Sequence, residues 1–232
     1  MDRQSVLDKL HEVKSDERFR AFSEALVPSS HPVLGVRLPA LRTIGKEIAG
    51  GDWRVFLDQA GSDSFEEVLL RGFVIGYAKM STEERISRIG TFVEDIDGWA
   101  VCDSACATFT DARKHPDAYW TFILPYFDSA NPWAVRFAII MAMDYFIDDR
   151  HIDQVLALLA NVRSDFYYVQ MGAGWALSVC FVKFRDKTMA LLESGQVMPQ
   201  IRRKAIQKCI ESLRVDAEDK RRLKLLRATI AS

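Results

Sequence analysis

The 232-residue sequence has little of what would mark a metal centre, a disulfide framework, a membrane span or a basic tail. Its four cysteines (Cys102, Cys106, Cys180, Cys209) form no CxxC pair, and its four histidines stand apart at 11, 31, 115 and 151. These spacings argue against structural zinc and against a stapled secreted domain, and they fit a reducing, cytoplasmic setting. No metal and no cofactor is expected. Charge of one sign is lacking too: 31 basic and 32 acidic residues leave a formal net charge of −1. No global positive field draws this chain to nucleic acid or to an acidic membrane, so any anion-binding surface is a local patch. The N-terminal stretch MDRQSVLDKLHEVKSDERFR is charged from residue 2 and has no apolar signal-peptide core. The longest uncharged run, FYYVQMGAGWALSVCFV at 166–182, is marginal for a membrane span and carries Gln170, Ser178 and two glycines. A buried helix in a protein without a membrane partner is the expectation there.

Proline and glycine are also scarce, at 7 and 12 residues, and many fall at joints: Pro28, Pro32, Pro39, Pro116, Pro132 and Pro199. Between the joints no sustained period-2 pattern appears, so the segments read as helices rather than strands. Asn131-Pro132-Trp133 has the form of a cap followed by proline in the first turn. Leu38-Pro39-Ala40 and Met198-Pro199-Gln200 predict similar starts. Ser81 followed by Glu84 predicts a capping box at the head of STEERISRIGTFV. An apolar content of 49% with 27% charged residues is that of a globular chain with a full core, taken here as one domain over 1–232.

Five segments align by pattern: VLLRGFVIGYA, AVCDSACATF, WAVRFAIIMAM, YYVQMGAGWAL and QIRRKAIQKCI. Each runs from apolar residues through one polar residue to a small residue that opens a second apolar run. The polar residues are Arg71, Asp103, Arg136, Gln170 and Arg203, at spacings of 32, 33, 34 and 33. A period near 33 is that of a helix-pair repeat whose equivalent helices stack side by side. The expected fold is therefore all-α, a curved solenoid of HEAT-like helix pairs with these five helices lining the concave face. TEERISRIGTFV, AYWTFILPYF and HIDQVLALLANV fall to the outer layer. The polar row has two readings. It is an internal ladder in which Asp103 pairs with Arg71 or Arg136 and offsets its own desolvation, or it is a row on a binding surface. Trp99, four residues before Asp103, shares its helical face. The small Cys102 and Cys106 on the same segment are expected to pack as hydrophobes.

Three stretches, LGVRLPALRTIGKEI at 34–48, Trp99 to Asp103 with WAVRFAII at 133–140, and VQMGAGWAL at 169–177, resemble in order and separation the DNA alkylation repair (AlkD-like) family of DNA glycosylases. The similarity covers roughly residues 15–215, and the ordered set is more specific than any one motif. The resemblance implies a HEAT-like solenoid that holds duplex DNA carrying alkylated bases, excises cationic purines such as 3-methyladenine and 7-methylguanine, and needs no cofactor; a monomer is expected. It places active-site roles on Trp99, Asp103, Arg136 and Trp175, and a structural role on Trp133. The residue types suit the chemistry. A carboxylate at Asp103 would stabilise oxocarbenium charge or orient water, indole faces at Trp99 and Trp175 attract cations, and Arg136 would clamp a phosphate. Candidate phosphate contacts are Arg37, Arg42, Lys46, Arg71, Arg113, Lys114, Arg202, Arg203 and Lys204. Ser178 and Asp144 depart from positions where the family is often basic. The alternative is a catalytically inactive helical-repeat module that binds nucleic acid or protein.

Overall fold

A computed structural model describes residues 1–27 and 29–230. Among these the regular structure is entirely helical, and helices pack on near neighbours in the chain as they do in an α-solenoid. The chain divides into two compact units, Met1–His115 and Pro116–Ser232. Of the proline joints, Pro28 lies outside the described residues.

The first unit contains α1 (Arg3–Val13), α2 (Glu17–Leu26), α3 (Leu38–Gly50), α4 (Trp53–Gln59), α5 (Phe65–Tyr77), α6 (Thr82–Val93) and α7 (Trp99–Cys106), then a 3-10 turn at Thr110–Arg113. Its layer of equivalent helices is α3, α5 and α7, each packed on the next. The sequence period began at α5 and missed α3. Arg42 of α3 precedes Arg71 by 29 residues rather than 33, because the intervening α4 has only two turns. Glycine sets the packing distance. A methyl on Gly72 would lie 2.6 Å from the Ala105 Cβ, and one on Gly45 would lie 3.0 Å from the Phe73 Cβ. Gly72, directly after Arg71, is thus where α5 and α7 close on one another, and Gly45 does the same for α3 and α5.

The second unit contains α8 (Pro116–Ile123), α9 (Pro132–Tyr145), α10 (Ile152–Asn161), α11 (Tyr167–Lys183), α12 (Arg185–Ser194), α13 (Pro199–Glu211) and α14 (Ala217–Ala228). Here α11 lies between α9 and α13 and packs on both. A methyl on Gly174 would meet the Lys204 Cβ at 2.7 Å and the Ala205 amide nitrogen at 3.1 Å, so only glycine lets α13 approach so closely. The predicted outer helix AYWTFILPYF is instead broken: α8 ends at Ile123 and Leu124–Asp128 is a 3-10 turn. Pro125 has no N–H to continue the α-helix and its ring clashes with the preceding turn.

Helix starts follow their caps. The Asn131 side chain accepts the Trp133 N–H at 2.9 Å, and Ser81 Oγ accepts the Glu84 N–H at 3.2 Å. The Glu84 carboxylate, which a capping box would turn back to the Ser81 N–H, takes the guanidiniums of Arg54 and Arg88 at 2.7 and 3.2 Å instead. The 166–182 run becomes α11, ten of whose residues are buried. No helix among the described residues is long and apolar enough to cross a membrane. All four cysteines are buried, as expected of small hydrophobes.

Candidate functional site

In the first unit, α7 brings Trp99 and Asp103 onto one face. Gly98 is its N-cap, so Trp99 opens the helix. Val101, Cys102, Ala105 and Cys106 fill the buried side, while Trp99 and Asp103 stay half-buried on the other. The indole lies along a mostly apolar groove of about 210 Å³, with Phe19, Leu26, Val33, Leu69 and Ser104 among its walls. A buried carboxylate anchors one side of that groove. Glu66, 1% exposed, accepts the backbone N–H groups of Leu34, Gly35 and Val36 at 2.9, 2.7 and 3.0 Å. Gly35 has φ +84° and its Cβ position touches Arg20, so a side chain there would be strained and crowded. The Leu34-Gly35-Val36-Arg37 stretch is therefore a loop tied down by α5, and it fixes the entry into α3.

In the second unit, α9 and α11 hold Arg136 and Trp175. Arg136 is 5% exposed and its Nη1 donates to the Tyr168 carbonyl. Gly172 makes the room: its Cβ position lies 3.2 Å from that nitrogen. The guanidinium thus ties α9 to the first turn of α11, a tighter and more internal placement than a phosphate clamp implies. Trp133 stacks on Tyr168 with centroids 5.3 Å apart and meets Phe166 edge-on at 5.0 Å, which makes it a packing residue. Trp175, in contrast, is 37% exposed although it belongs to the most apolar segment of the chain.

The polar row resolves residue by residue. Arg71 pairs with Asp95 at 2.7 Å, an acid that the repeat pattern did not suggest as its partner. Gln170 Nε2 donates to the Ser164 carbonyl at 3.1 Å, and Arg203 Nη2 to the Ile230 carbonyl at 2.7 Å. Much of the row is therefore structural, each long polar side chain crossing to a backbone oxygen or an acid of a neighbouring segment. Asp103 is its sole acid.

The candidate phosphate contacts differ in availability. Arg37, Lys46, Arg113 and Lys114 are exposed. Arg37 stands 4.1 Å over the Phe19 ring, and Lys46 5.6 Å from the Tyr77 ring. Arg42 is half-buried, over Phe73 and donating to the Tyr77 hydroxyl at 3.0 Å. The run Arg202-Arg203-Lys204 splays around α13, because consecutive helical residues point about 100° apart. Arg202 has its Nε buried with no hydrogen-bond partner among the described residues, and burial pulls its pKa below the usual arginine value. Lys204 stands 4.4 Å over the Tyr167 ring. Residues overlooked in the sequence lie around these. Lys79 shares an open cleft with Lys46, Tyr77 and Trp53, and Lys208 and Arg214 sit beside Trp175. The four-residue steps Tyr167–Met171–Trp175 and Lys204–Lys208 are the signal that could have found the second group. No group of three or more histidine, cysteine or acidic residues that could hold a metal occurs among the described residues.

A comparison with curated proteins finds no match. A family model described as DNA alkylation repair enzyme matches residues 4–210, a span that includes α7, α9, α11 and every site residue expected from the sequence, while Arg214 lies just beyond it. The chain belongs to the DNA alkylation repair enzyme family.

Proposed function

We propose that the protein is a DNA glycosylase of HEAT-like repeats that excises positively charged alkylated purines, 3-methyladenine and 7-methylguanine, from duplex DNA. It would act as a cytoplasmic monomer, by hydrolysis of the N-glycosidic bond and without metal or cofactor. The observation that carries this reading is the pair on α7: a carboxylate and an indole, four residues apart and both half-buried, on a helix whose other face is wholly apolar. N3- or N7-alkylation already makes the purine a good leaving group. The barrier then lies in the positive charge that develops on the sugar as the bond breaks. Asp103 would stabilise that charge or orient the attacking water. The faces of Trp99 and Trp175 attract cations, by roughly 0.5–2 kcal/mol each. Arg136 contributes mainly by fixing the start of α11, and so the setting of Trp175. Exposed Arg37, Lys46, Arg113 and Lys114 are the leading phosphate contacts.

A second reading, a helical-repeat module without catalysis, is favoured by Ser178 and Asp144 standing at often-basic family positions and by the internal use of Arg71, Arg136 and Arg203. Incubation with methylated duplex DNA decides between them. Release of free 3-methyladenine or 7-methylguanine supports the glycosylase. DNA binding without release leaves the module.

A further inference from the structure

The groove beside Trp99 has one wall that burial does not hold in place. Phe19, Ser23 and Leu26 of α2 line it, yet no residue of α2 is buried. A helix without buried side chains gains little from packing, so its position depends on the segments at its ends. Before α2, the Ser15 N–H donates to the Gly35 carbonyl at 3.0 Å. After it the chain runs through residues 29–36, and two carboxylates take hold of that stretch. Glu66 grips the far end, where the Phe65 N–H also donates to the Pro32 carbonyl at 3.0 Å. Asp97 grips the near end. Its Oδ2 accepts the Ser29 hydroxyl at 2.9 Å, the Ser30 N–H at 2.5 Å and the Ser30 hydroxyl at 2.8 Å, and His31 Nε2 lies 3.8 Å from the same oxygen.

Asp97 stands two residues before Trp99, in the loop that enters α7. Gly98, between them, is an N-cap that makes no side-chain hydrogen bond to the helix. The start of α7 takes no support from its own cap, and Asp97 is the polar tie closest before it. One carboxylate therefore reaches both sides of the groove: the loop that follows α2 on one side, and the entry to the helix that carries the indole on the other. Its bonding is lopsided. Three donors converge on Oδ2, while Oδ1 is buried with no hydrogen-bond partner among the described residues. A bare buried acceptor costs stability. What the position gains is geometry, since a single atom sets the spacing between the loop and the start of α7.

We infer that Asp97 is a positioning residue of the proposed site: it latches the Ser29–Ser30 loop to the entry of α7 and so holds the Trp99 indole at a fixed distance from the α2 wall. It acts through Trp99 and touches no substrate. The inference rests on Trp99 belonging to the glycosylase site.

The test incorporates 5-fluorotryptophan at the five tryptophans of the full chain and follows them by fluorine NMR, with Trp99→Phe assigning the Trp99 signal. The parent should show one narrow Trp99 resonance. Asp97→Ala should shift and broaden it and leave the others in place. Asp97→Asn keeps an acceptor oxygen for the same donors and should restore it. Ser29→Ala/Ser30→Ala removes both hydroxyls from the other half of the latch and should act as Asp97→Ala does, which keeps the test intact if that variant fails to fold. Arg3→Ala breaks an ion pair with Glu67 in the same unit, away from the latch, and should lower stability without moving the Trp99 resonance. In single-turnover excision from methylated duplex, Asp97→Ala should raise the protein concentration needed for half-maximal rate about tenfold, the order of one displaced cation–indole contact. The maximal rate should stay nearly unchanged, because Asp103 is untouched, and Asp97→Asn should bring the half-maximal concentration back. A Trp99 resonance that is the same in parent and folded Asp97→Ala overturns the inference, as does one that Asp97→Asn fails to restore. An equal rise in half-maximal concentration with Arg3→Ala also overturns it, by reducing Asp97 to a stability residue. The expected fluorine shifts in a protein that releases no methylated base support the latch and remove the glycosylase. Excision that Asp97→Ala leaves unaltered removes the latch and leaves the glycosylase standing.

Discussion

Helices α7 and α9 place their polar residue at the same step of the repeat, 33 positions apart, and use it in opposite ways. On α7 the residue is an acid, Asp103, half-buried beside a half-buried indole. On α9 it is a cation, Arg136, sunk to 5% exposure and bonded to the backbone of the next helix. The lengths of the two helices explain the contrast. α7 has eight residues and one buried side, whereas α9 has fourteen and is buried from Ala134 to Met143 without a break. A polar group surrounded on all sides must find an internal partner, since leaving one unmade costs about 1–3 kcal/mol. A polar group on a one-sided helix keeps part of its surface exposed, as Asp103 does. Equivalence in a repeat fixes position; the number of buried sides decides the role.

The strongest way to break this contrast is at Asp103. Asp103→Asn keeps the shape and removes the charge. Excision from methylated DNA should slow by a few hundred-fold, the effect of losing about 3–4 kcal/mol of transition-state stabilisation, while the melting temperature holds. An unchanged rate in folded protein would return Asp103 to the structural ladder. Arg136→Met should behave in the opposite sense. It strips the bond to Tyr168 and should lower stability by about 1–3 kcal/mol in denaturant titration, with a smaller loss of excision than at Asp103. A stable Arg136→Met protein with no activity would make Arg136 a substrate contact after all.

Gly174→Ala sharpens the packing side of the comparison. The added methyl meets both the Lys204 side chain and the Ala205 backbone, and the strain should cost about 1–3 kcal/mol. Cooperative unfolding as stable as the parent's would show that α11 and α13 have slack. In the first unit the corresponding test is of charge. Arg37→Ala and Lys46→Ala remove exposed cations and should each reduce the salt slope of duplex binding by about one, with no change in melting temperature.

The smallest effect concerns acid stability. Glu67 is fully buried at the head of α5. Burial pushes its pKa up, but the Arg3 guanidinium at 2.6 Å and the N–H groups of Gly61 and Asp63 outweigh it and hold the carboxyl below its ordinary value near 4.5. A carboxyl with a depressed folded pKa contributes stability that is complete above its unfolded value and is lost as the pH falls through the folded one. Glu67→Gln should therefore flatten the decline in stability below about pH 4.5 and leave its slope near neutrality unchanged. An identical acid profile in parent and variant would assign the decline to other carboxyls.

The fold was largely legible because its signals are local. Asn131 and Ser81 cap the helices they precede, prolines mark the starts of α3, α9 and α13, and the period near 33 shows in adjacent residues of each segment. Trp99 and Asp103 were legible for the same reason, since a four-residue step on one helix brings them together without help from the rest of the chain. Pro125 was within reach as well, as a ring that stops an α-helix, but the apolar run around it concealed the break.

The partners were not legible. Arg71 takes Asp95, Arg136 takes a carbonyl 32 residues away, and Glu66 gathers three N–H groups from a loop 30 residues before it. None of these follows from spacing, because each depends on which segment is packed opposite. Trp175 shows the same limit. Its neighbours in sequence are among the most apolar in the protein, yet α13 meets α11 at Gly174 and leaves the next side chain at the rim of a pocket. Sequence alone determined the helices, their period and the pairing of an acid with an indole on α7. Tertiary structure decided which polar residues are buried and which stay partly exposed, since burial is a property of the elements that close over a residue, and those come from elsewhere in the chain.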